Sequence, residues 1–267
     1  MAGPTWPGGA VPEIRSDVPH PARIYDYWLG GKDNFAADRY VAECAIQDAP
    51  ELLDYARGNR QFLVRAVRLL AESGVRQFLD IGAGLPTSPN VHEVAQSAGP
   101  GSRVVYVDND PMVYLHAEAL MAKNDATGVV RADLRDVDGV LGKVGKLLDF
   151  SQPTALMFVA SLQHIEDEDN PAGIVARYLA ALAPRSYLVL SHCTDQFAYD
   201  TMHEGSKRLK QDGGIFVPRS REAIRRIFNG RELLDPGLRL VSYWRPEGGV
   251  PDPNAGRVWA YGGIARI

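Results

Sequence analysis

From Gln77 onward the chain alternates short apolar runs with helix-sized segments, and this alternation limits the possible folds more than any other feature. The runs are 77–81 (QFLDI), 103–107 (RVVYV), 128–131, 154–160 (TALMFVA) and 186–191 (SYLVLS). Between them lie 89–98, 111–124, 136–148 and 171–182, with Pro111 and Pro171 placed where a helix begins. Such alternation predicts βαβ units and a mainly parallel sheet. A helical stretch over 195–211 and a helix over 220–228 follow. Strands at 238–245 and 257–266, joined by a short Pro/Gly-rich loop, read as a hairpin. The result is an α/β chain with a mixed, doubly wound sheet.

Residues 22–74 read as helical. Asp33 is placed to cap a helix over Phe35–Ile46. A second helix opens at Pro50 or Glu51, carries Leu52, Phe62, Leu63, Val67 and Leu70, and stops at Gly74. Residues 1–21 hold five prolines and three glycines, a composition that predicts a flexible tail. The expected organisation is a tail at 1–21, a helical cap or lid at 22–74 and a ligand-binding sheet domain at 75–267. No run reaches the ~18 apolar residues that span a bilayer, and no basic n-region precedes an apolar core, so a cytoplasmic protein is expected. The net charge of −4 argues against a nucleic-acid partner. Cys44 and Cys193 alone make neither a zinc ligand set nor a disulfide framework; each reads as a small buried apolar residue, with a nucleophile as the alternative.

The first strand runs into Asp80-Ile81-Gly82-Ala83-Gly84. Glycines after the first strand let the chain turn sharply and let a ligand approach the backbone. A dinucleotide fingerprint would want glycine at position 87, where Thr87 stands behind Pro86. Asp80 also suits a cationic amino group better than a pyrophosphate. S-adenosyl-L-methionine (SAM) carries an ammonium, a sulfonium and no phosphate, so D-x-G-x-G favours SAM over NAD. The second strand ends in Asp108, 24 positions after Gly84 and suitably placed for both ribose hydroxyls. Asn109 would lie alongside adenine. Asp110 reads as the cap of the helix at Pro111. Asp133, followed by Leu134, can accept from an adenine amine or cap the next helix.

After the fourth strand, Ala160 and Ser161 leave the sheet on the sulfonium side. His164 could act as a general base or be structural. The acidic run Glu166–Asp169 reads as a solvated loop rather than a metal site. Residues 201–231 carry eight basic residues against three acids, either a solvated face or a means of steering an anionic substrate.

The segment PARIYDYWLGGKDNFAADR (21–39) is the most specific signature. With Gly58-Asn59-Arg60, Phe78–Thr87, Tyr106–Pro111, Ala132–Arg135, His164–Ala176 and Ser186–His192, it resembles a mostly actinobacterial family of SAM-dependent methyltransferases first catalogued as a domain of unknown function. The resemblance implies a Rossmann-like class I methyltransferase fold with strand order 3-2-1-4-5-7-6 and a helical N-terminal extension over the cofactor. It implies Gly82, Gly84, Asp108 and Asp133 as cofactor contacts. Two positions depart from the family: Gln163 stands where a histidine is frequent, and Trp28 where leucine is frequent. The N-terminal aromatics suit either a water-excluding lid or helix packing, and Arg60 either the methionyl carboxylate or a surface ion pair.

The expected cofactor set is Asp80, Gly82, Ala83, Gly84, Asp108, Asn109, Asp133, Leu134, Ala160 and Ser161, joined by Tyr25, Asn34 and Arg60. No metal is expected. The expected function is direct in-line methyl transfer from SAM to a small-molecule acceptor at oxygen or nitrogen. A non-catalytic module that holds SAM is the alternative, and an NAD(P) oxidoreductase a third.

Overall fold

In a computed structural model that describes residues 13–120, 125–211 and 213–267, seven strands form one sheet. They are β1 (Gln77–Ile81), β2 (Arg103–Asp108), β3 (Thr127–Arg131), β4 (Thr154–Val159), β5 (Tyr187–Cys193), β6 (Arg239–Leu240) and β7 (Ala260–Arg266). Their order is β3-β2-β1-β4-β5-β7-β6, as the resemblance implies. The first five are parallel; β7 runs antiparallel to β5, and β6 antiparallel to β7. Between β1 and β4 the strand order reverses, which opens a crevice at the carboxyl ends of the central strands.

The helices are α1 (Pro21–Trp28), α2 (Ala36–Asp48), α3 (Leu52–Glu72), α4 (Val91–Ala98), α5 (Pro111–Leu120), α6 (Val137–Val144), α7 (Pro171–Ala180), α8 (Tyr199–Gln211) and α9 (Arg221–Ile227). Strand residues alternate between two cores. Phe78, Tyr106 and Met157 share one with Phe62 and Leu70 of α3 and Val94 of α4. Leu79, Val107 and Phe158 share the other with Val140 of α6, Tyr178 of α7 and Ile224 of α9. Because both faces are covered, the strands read as continuous apolar runs. The long amphipathic α3 belongs to the sheet's own core, so the part of the N-terminal region that lies over the crevice is α1 and the residues just before it.

Some boundaries differ from expectation. Asp33 does not cap α2; Asp38, one turn in, accepts from the Phe35 N–H at 2.8 Å, while Asp33 lies 3.5 Å from His116 Nδ1. The expected strand at 238–245 shrinks to Arg239–Leu240. Beyond it the chain turns to cover α3: Trp244 is fully buried edge-on to Phe62, and Arg65 donates to the carbonyls of Val241 and Trp244. The two late strands are therefore antiparallel neighbours joined by residues 241–259, not a short-looped hairpin. Thr194 continues the pairing of β5, with its N–H on Trp259 O at 3.0 Å, and Asp195 opens a turn, its carbonyl accepting from Ala198 N–H, so α8 opens at Tyr199 rather than at 195. Residues 1–12 of the expected tail and 121–124 of the expected helix over 111–124 lie outside the described residues.

Candidate active site

The Gly82–Gly84 loop is stitched to the end of β2. Gly82 N–H donates to Val107 O at 2.7 Å, and Gly84 N–H to Asp108 Oδ2 at 2.9 Å. Both glycines are left-handed, at φ +74° and +69°. A Cβ on Gly82 would lie 2.4 Å from Ser161 Cβ, whereas one on Gly84 meets nothing within 4 Å. Gly82 therefore lets the β1 and β4 loops touch, and Gly84 leaves open space for a ligand. Together the loops floor a cavity of about 350 Å3. It lies over the carboxyl ends of β1, β2 and β4, the expected place for a ligand in this kind of sheet.

Besides Asp26, three carboxylates beside the ends of β1, β2 and β3 line this cavity, in different states. Asp108 is buried; Oδ1 accepts from Asp110 N–H and Oδ2 from Gly84 N–H, each at 2.9 Å. Each oxygen retains acceptor capacity, which suits a vicinal diol. Burial raises its pKa, and the two backbone donors oppose that rise. Asp133 is held by Arg135, Nη2 to Oδ2 at 2.6 Å, which lowers its pKa. It does not cap the next helix; Asp136 does, accepting from Gly139 N–H. Asp80 is only 4 % exposed, and no donor among the described residues bonds its carboxylate. Burial pushes its pKa up to about 7, with the Arg60 guanidinium opposing and Asp108 adding.

A buried carboxylate without a donor calls for a cationic ligand group. With its folded pKa above its unfolded value, Asp80 holds a proton more tightly when the protein is folded and empty. It therefore costs the empty protein stability as pH rises from about 4 to about 7. A ligand ammonium favours the ionised form, so binding below about pH 7 expels that proton. Calorimetry of S-adenosylhomocysteine (SAH) binding at pH 6 in buffers of different ionisation enthalpy should report release of up to one proton, absent in Asp80→Asn. No dependence of the heat on the buffer would contradict the assignment.

The loop after β4 leaves the sheet at Ala160, which adopts φ +59° and donates to Ser191 O at 3.1 Å. A left-handed residue other than glycine is strained, and such strain clusters at functional sites. Ser161 Oγ is buried with no protein partner. His164 lines the cavity, but its Nδ1 donates to Ile215 O at 2.8 Å and burial lowers its pKa to about 4. Its ring is neutral and a poor proton acceptor. Gln163, in place of the frequent histidine, ties structure together: Nε2 donates to Tyr55 OH at 2.7 Å and Oε1 accepts from Cys193 N–H.

Arg219 clamps this loop from below. It is buried and donates to the carbonyls of Leu162 and Ile165, to His192 Nε2 and to Asp167 Oδ1, all within 3.0 Å. Arg219→Met should cost about 1–3 kcal/mol by leaving the two carbonyls unpaired. A melting curve of the variant checks this, and an unchanged Tm contradicts it.

The N-terminal residues expected at the cofactor divide. Tyr25 lines the cavity, donates to Ala56 O at 2.9 Å and accepts from Asn59 Nδ2 at 3.0 Å. Arg60 lines it too, with Nη2 on the carbonyls of Thr87 and Pro89, so it is no surface ion pair. Asn34 does not reach the cavity; its Nδ2 donates to Asp26 Oδ2 at 2.8 Å, and Asp26 is the lining residue. Val18, Pro19 and His20, assigned to a tail by composition, form part of the wall. Asn59 was missed as well; its Oδ1 accepts from Ser191 Oγ at 2.5 Å and ties α3 to β5 beside the cavity.

Among the described residues no cluster could hold a metal, and no helix is long and apolar enough to cross a membrane. Three of the four acids in the run are in ion pairs: Glu166 with Lys210, Asp167 with Arg219 and Asp169 with Arg135. None of the eight basic residues at 201–231 lines the cavity, and Arg208 pairs with Asp48. Cys193 is buried, which pushes its thiol up and away from nucleophilic use.

The sheet order, the glycine loop and the three carboxylates define a class I SAM-dependent methyltransferase. The model of a family described as S-adenosyl methyltransferase matches residues 8–267, and the chain belongs to that family. A candidate methyltransferase from Thermobifida fusca YX is 43% identical, with a TM-score of 0.87 over 93% of this chain and 95% of that one. A DUF574 family protein from Streptomyces avermitilis MA-4680 is 38% identical, with a TM-score of 0.87 over 94% and 98%. An O-methyltransferase family protein from Burkholderia thailandensis shares the fold at 14% identity, with a TM-score of 0.51 over 77% and 55%. No protein of curated function matches. The cofactor is SAM, and the cavity's chemistry fits it. Among the described residues no donor bonds Asp80 and none partners Ser161 Oγ, Asp108 has acceptors for a diol, and Gly84 borders open space.

Proposed function

We propose that the chain transfers a methyl group from SAM to a small-molecule acceptor by direct in-line displacement, at oxygen or nitrogen. The observation that carries this is the extent of the cavity. Besides the glycine loop and the carboxylates at the strand ends, its lining includes His20, Tyr25, His164, Ile165 and Ile215. Asp80 would hold the methionyl ammonium, Asp108 the ribose hydroxyls and Asp133 the adenine amine. SAM supplies a methyl group on a sulfonium. The protein's part is to fix donor and acceptor in line and to keep water out. Residues 18–26, laid over the crevice, suit that second task.

The acceptor would enter between α1 and the segment at 213–215. Incubation with SAM and a panel of hydroxylated and aminated small molecules, read as SAH formation, tests the proposal. Turnover with at least one acceptor supports it; SAH release no faster than without acceptor, despite tight SAM binding, favours a module that holds SAM without catalysis.

A further inference from the structure

His20 stands just before α1, on the cavity wall, and its side chain is 27% exposed. Its backbone is pinned, because its N–H donates to Asp38 Oδ1 at 2.8 Å. Its Nδ1 lies 3.0 Å from Oδ2 of Asp110, a carboxylate only 3% exposed. The other Asp110 oxygen is committed to the cap of α5, accepting from Met112 N–H at 2.7 Å. Nε2 of His20 bonds no protein atom among the described residues. We propose that His20, oriented by Asp110, is the general base of the methyl transfer, and that the acceptor is a neutral hydroxyl or N–H compound that gives up a proton as it is methylated. This rests on the methyltransferase function proposed above.

Two partners compete for Nδ1. Ala22 N–H is 3.3 Å away and would donate to it, leaving the ring proton on Nε2. Asp110 Oδ2 is closer, buried and charged, and among the described residues it accepts no hydrogen bond of good geometry: His20 Nδ1 stands at ion-pair distance, 3.0 Å, and Arg23 Nε at 3.5 Å. A buried carboxylate oxygen left without a donor costs more than one helix-terminal N–H left on a weak bond, and charge-assisted hydrogen bonds are the stronger kind. On that balance a small turn of the ring gives the Nδ1 proton to the carboxylate in place of the Ala22 contact, and a base at His20 requires this tautomer, with the lone pair on Nε2. The other cavity imidazole, His164, has only the neutral Ile215 carbonyl on its inner nitrogen, so nothing there stabilises its charged form. The charged groups around His20 are Asp110, Asp38, Arg23 and, across the cavity, Asp108; the His164 imidazole there is neutral.

The step balances. The X–H bond of the acceptor breaks and its proton passes to Nε2. The electron pair on X forms the bond to the methyl carbon as the carbon–sulfur pair returns to sulfur, leaving a neutral thioether. The positive charge ends on the imidazolium, facing Asp110, and the proton leaves to solvent from the exposed edge of the ring.

The test needs no acceptor. Proton–nitrogen correlation spectra of protein labelled at the histidine ring nitrogens, recorded at a pH where the rings are neutral, report which nitrogen carries hydrogen. The His20 signals are identified by their loss in His20→Gln. The expected result is hydrogen on Nδ1 and none on Nε2. In Asp110→Asn, with Oδ1 still capping α5, the amide should donate to Nδ1 and invert the pattern. Hydrogen on Nε2 in the wild type overturns the proposal and makes His20 a helix cap. Calorimetry with SAH provides a second arm. His20→Gln should bind within about threefold of the wild type, because the base meets the acceptor and not the nucleoside. A loss of tenfold or more assigns the imidazole to the cofactor and overturns the proposal. If the wild type itself fails to bind SAH, the methyltransferase function is what fails, and the spectra still decide the tautomer.

Discussion

Asp108→Ala should weaken SAH binding by about 30- to 1,000-fold, equivalent to about 2–4 kcal/mol. Two effects combine. The ribose diol loses both charged acceptors, and hydrogen bonds to charged groups carry about 1.5–3 kcal/mol each. The N–H groups of Gly84 and Asp110, each 2.9 Å from a carboxylate oxygen in the wild type, also lose their partners, so the glycine loop loses its attachment to β2. Asp108→Asn separates the two. Its amide oxygen still serves one backbone N–H, while its NH2 opposes the other, so it should fall nearer to alanine than to the wild type. Calorimetric titration reads both variants, with melting curves to show that they fold. An affinity within threefold of the wild type would mean that the ribose does not sit on Asp108.

The largest effect on stability is expected from Gly82→Ala, at about 2–5 kcal/mol. The left-handed backbone costs an L-residue about 1–2 kcal/mol, and overpacking typically adds 1–3. Here the new Cβ would lie 2.4 Å from Ser161 Cβ, so the β1 and β4 loops must part. Gly84→Ala is the control. It has nearly the same φ, but its Cβ meets no protein atom within 4 Å. It should lose only the backbone cost in stability, about 1–2 kcal/mol, yet weaken SAH binding, because the methyl enters the ligand's space. Equal Tm losses for the two variants would show that contact with Ser161 is not what demands glycine at 82.

Much of this was legible in the sequence, for a physical reason. Strands covered on both faces become apolar runs, and the site of such a sheet falls where those runs end, so Asp80, Gly82, Gly84 and Asp108 could be read from position alone. His20 could not. It lies in a stretch whose prolines predict a tail, and its partner Asp110 is ninety positions away. Asn34 was misplaced because a polar residue in an aromatic signature looks like a ligand contact, whereas here it supports Asp26. Arg219 was hidden among exposed basic neighbours, although it is buried and clamps the loop after β4. β6 was overestimated because Trp244 is apolar for the sake of α3, not of a strand.

The central claim, that the cavity is built for SAM, is tested most directly by measuring Tm with SAM, SAH and NADH in parallel. SAM and SAH should each raise Tm, NADH should leave it unchanged, and the two increases should vanish in Asp108→Ala. A rise with NADH and none with SAM would contradict the claim.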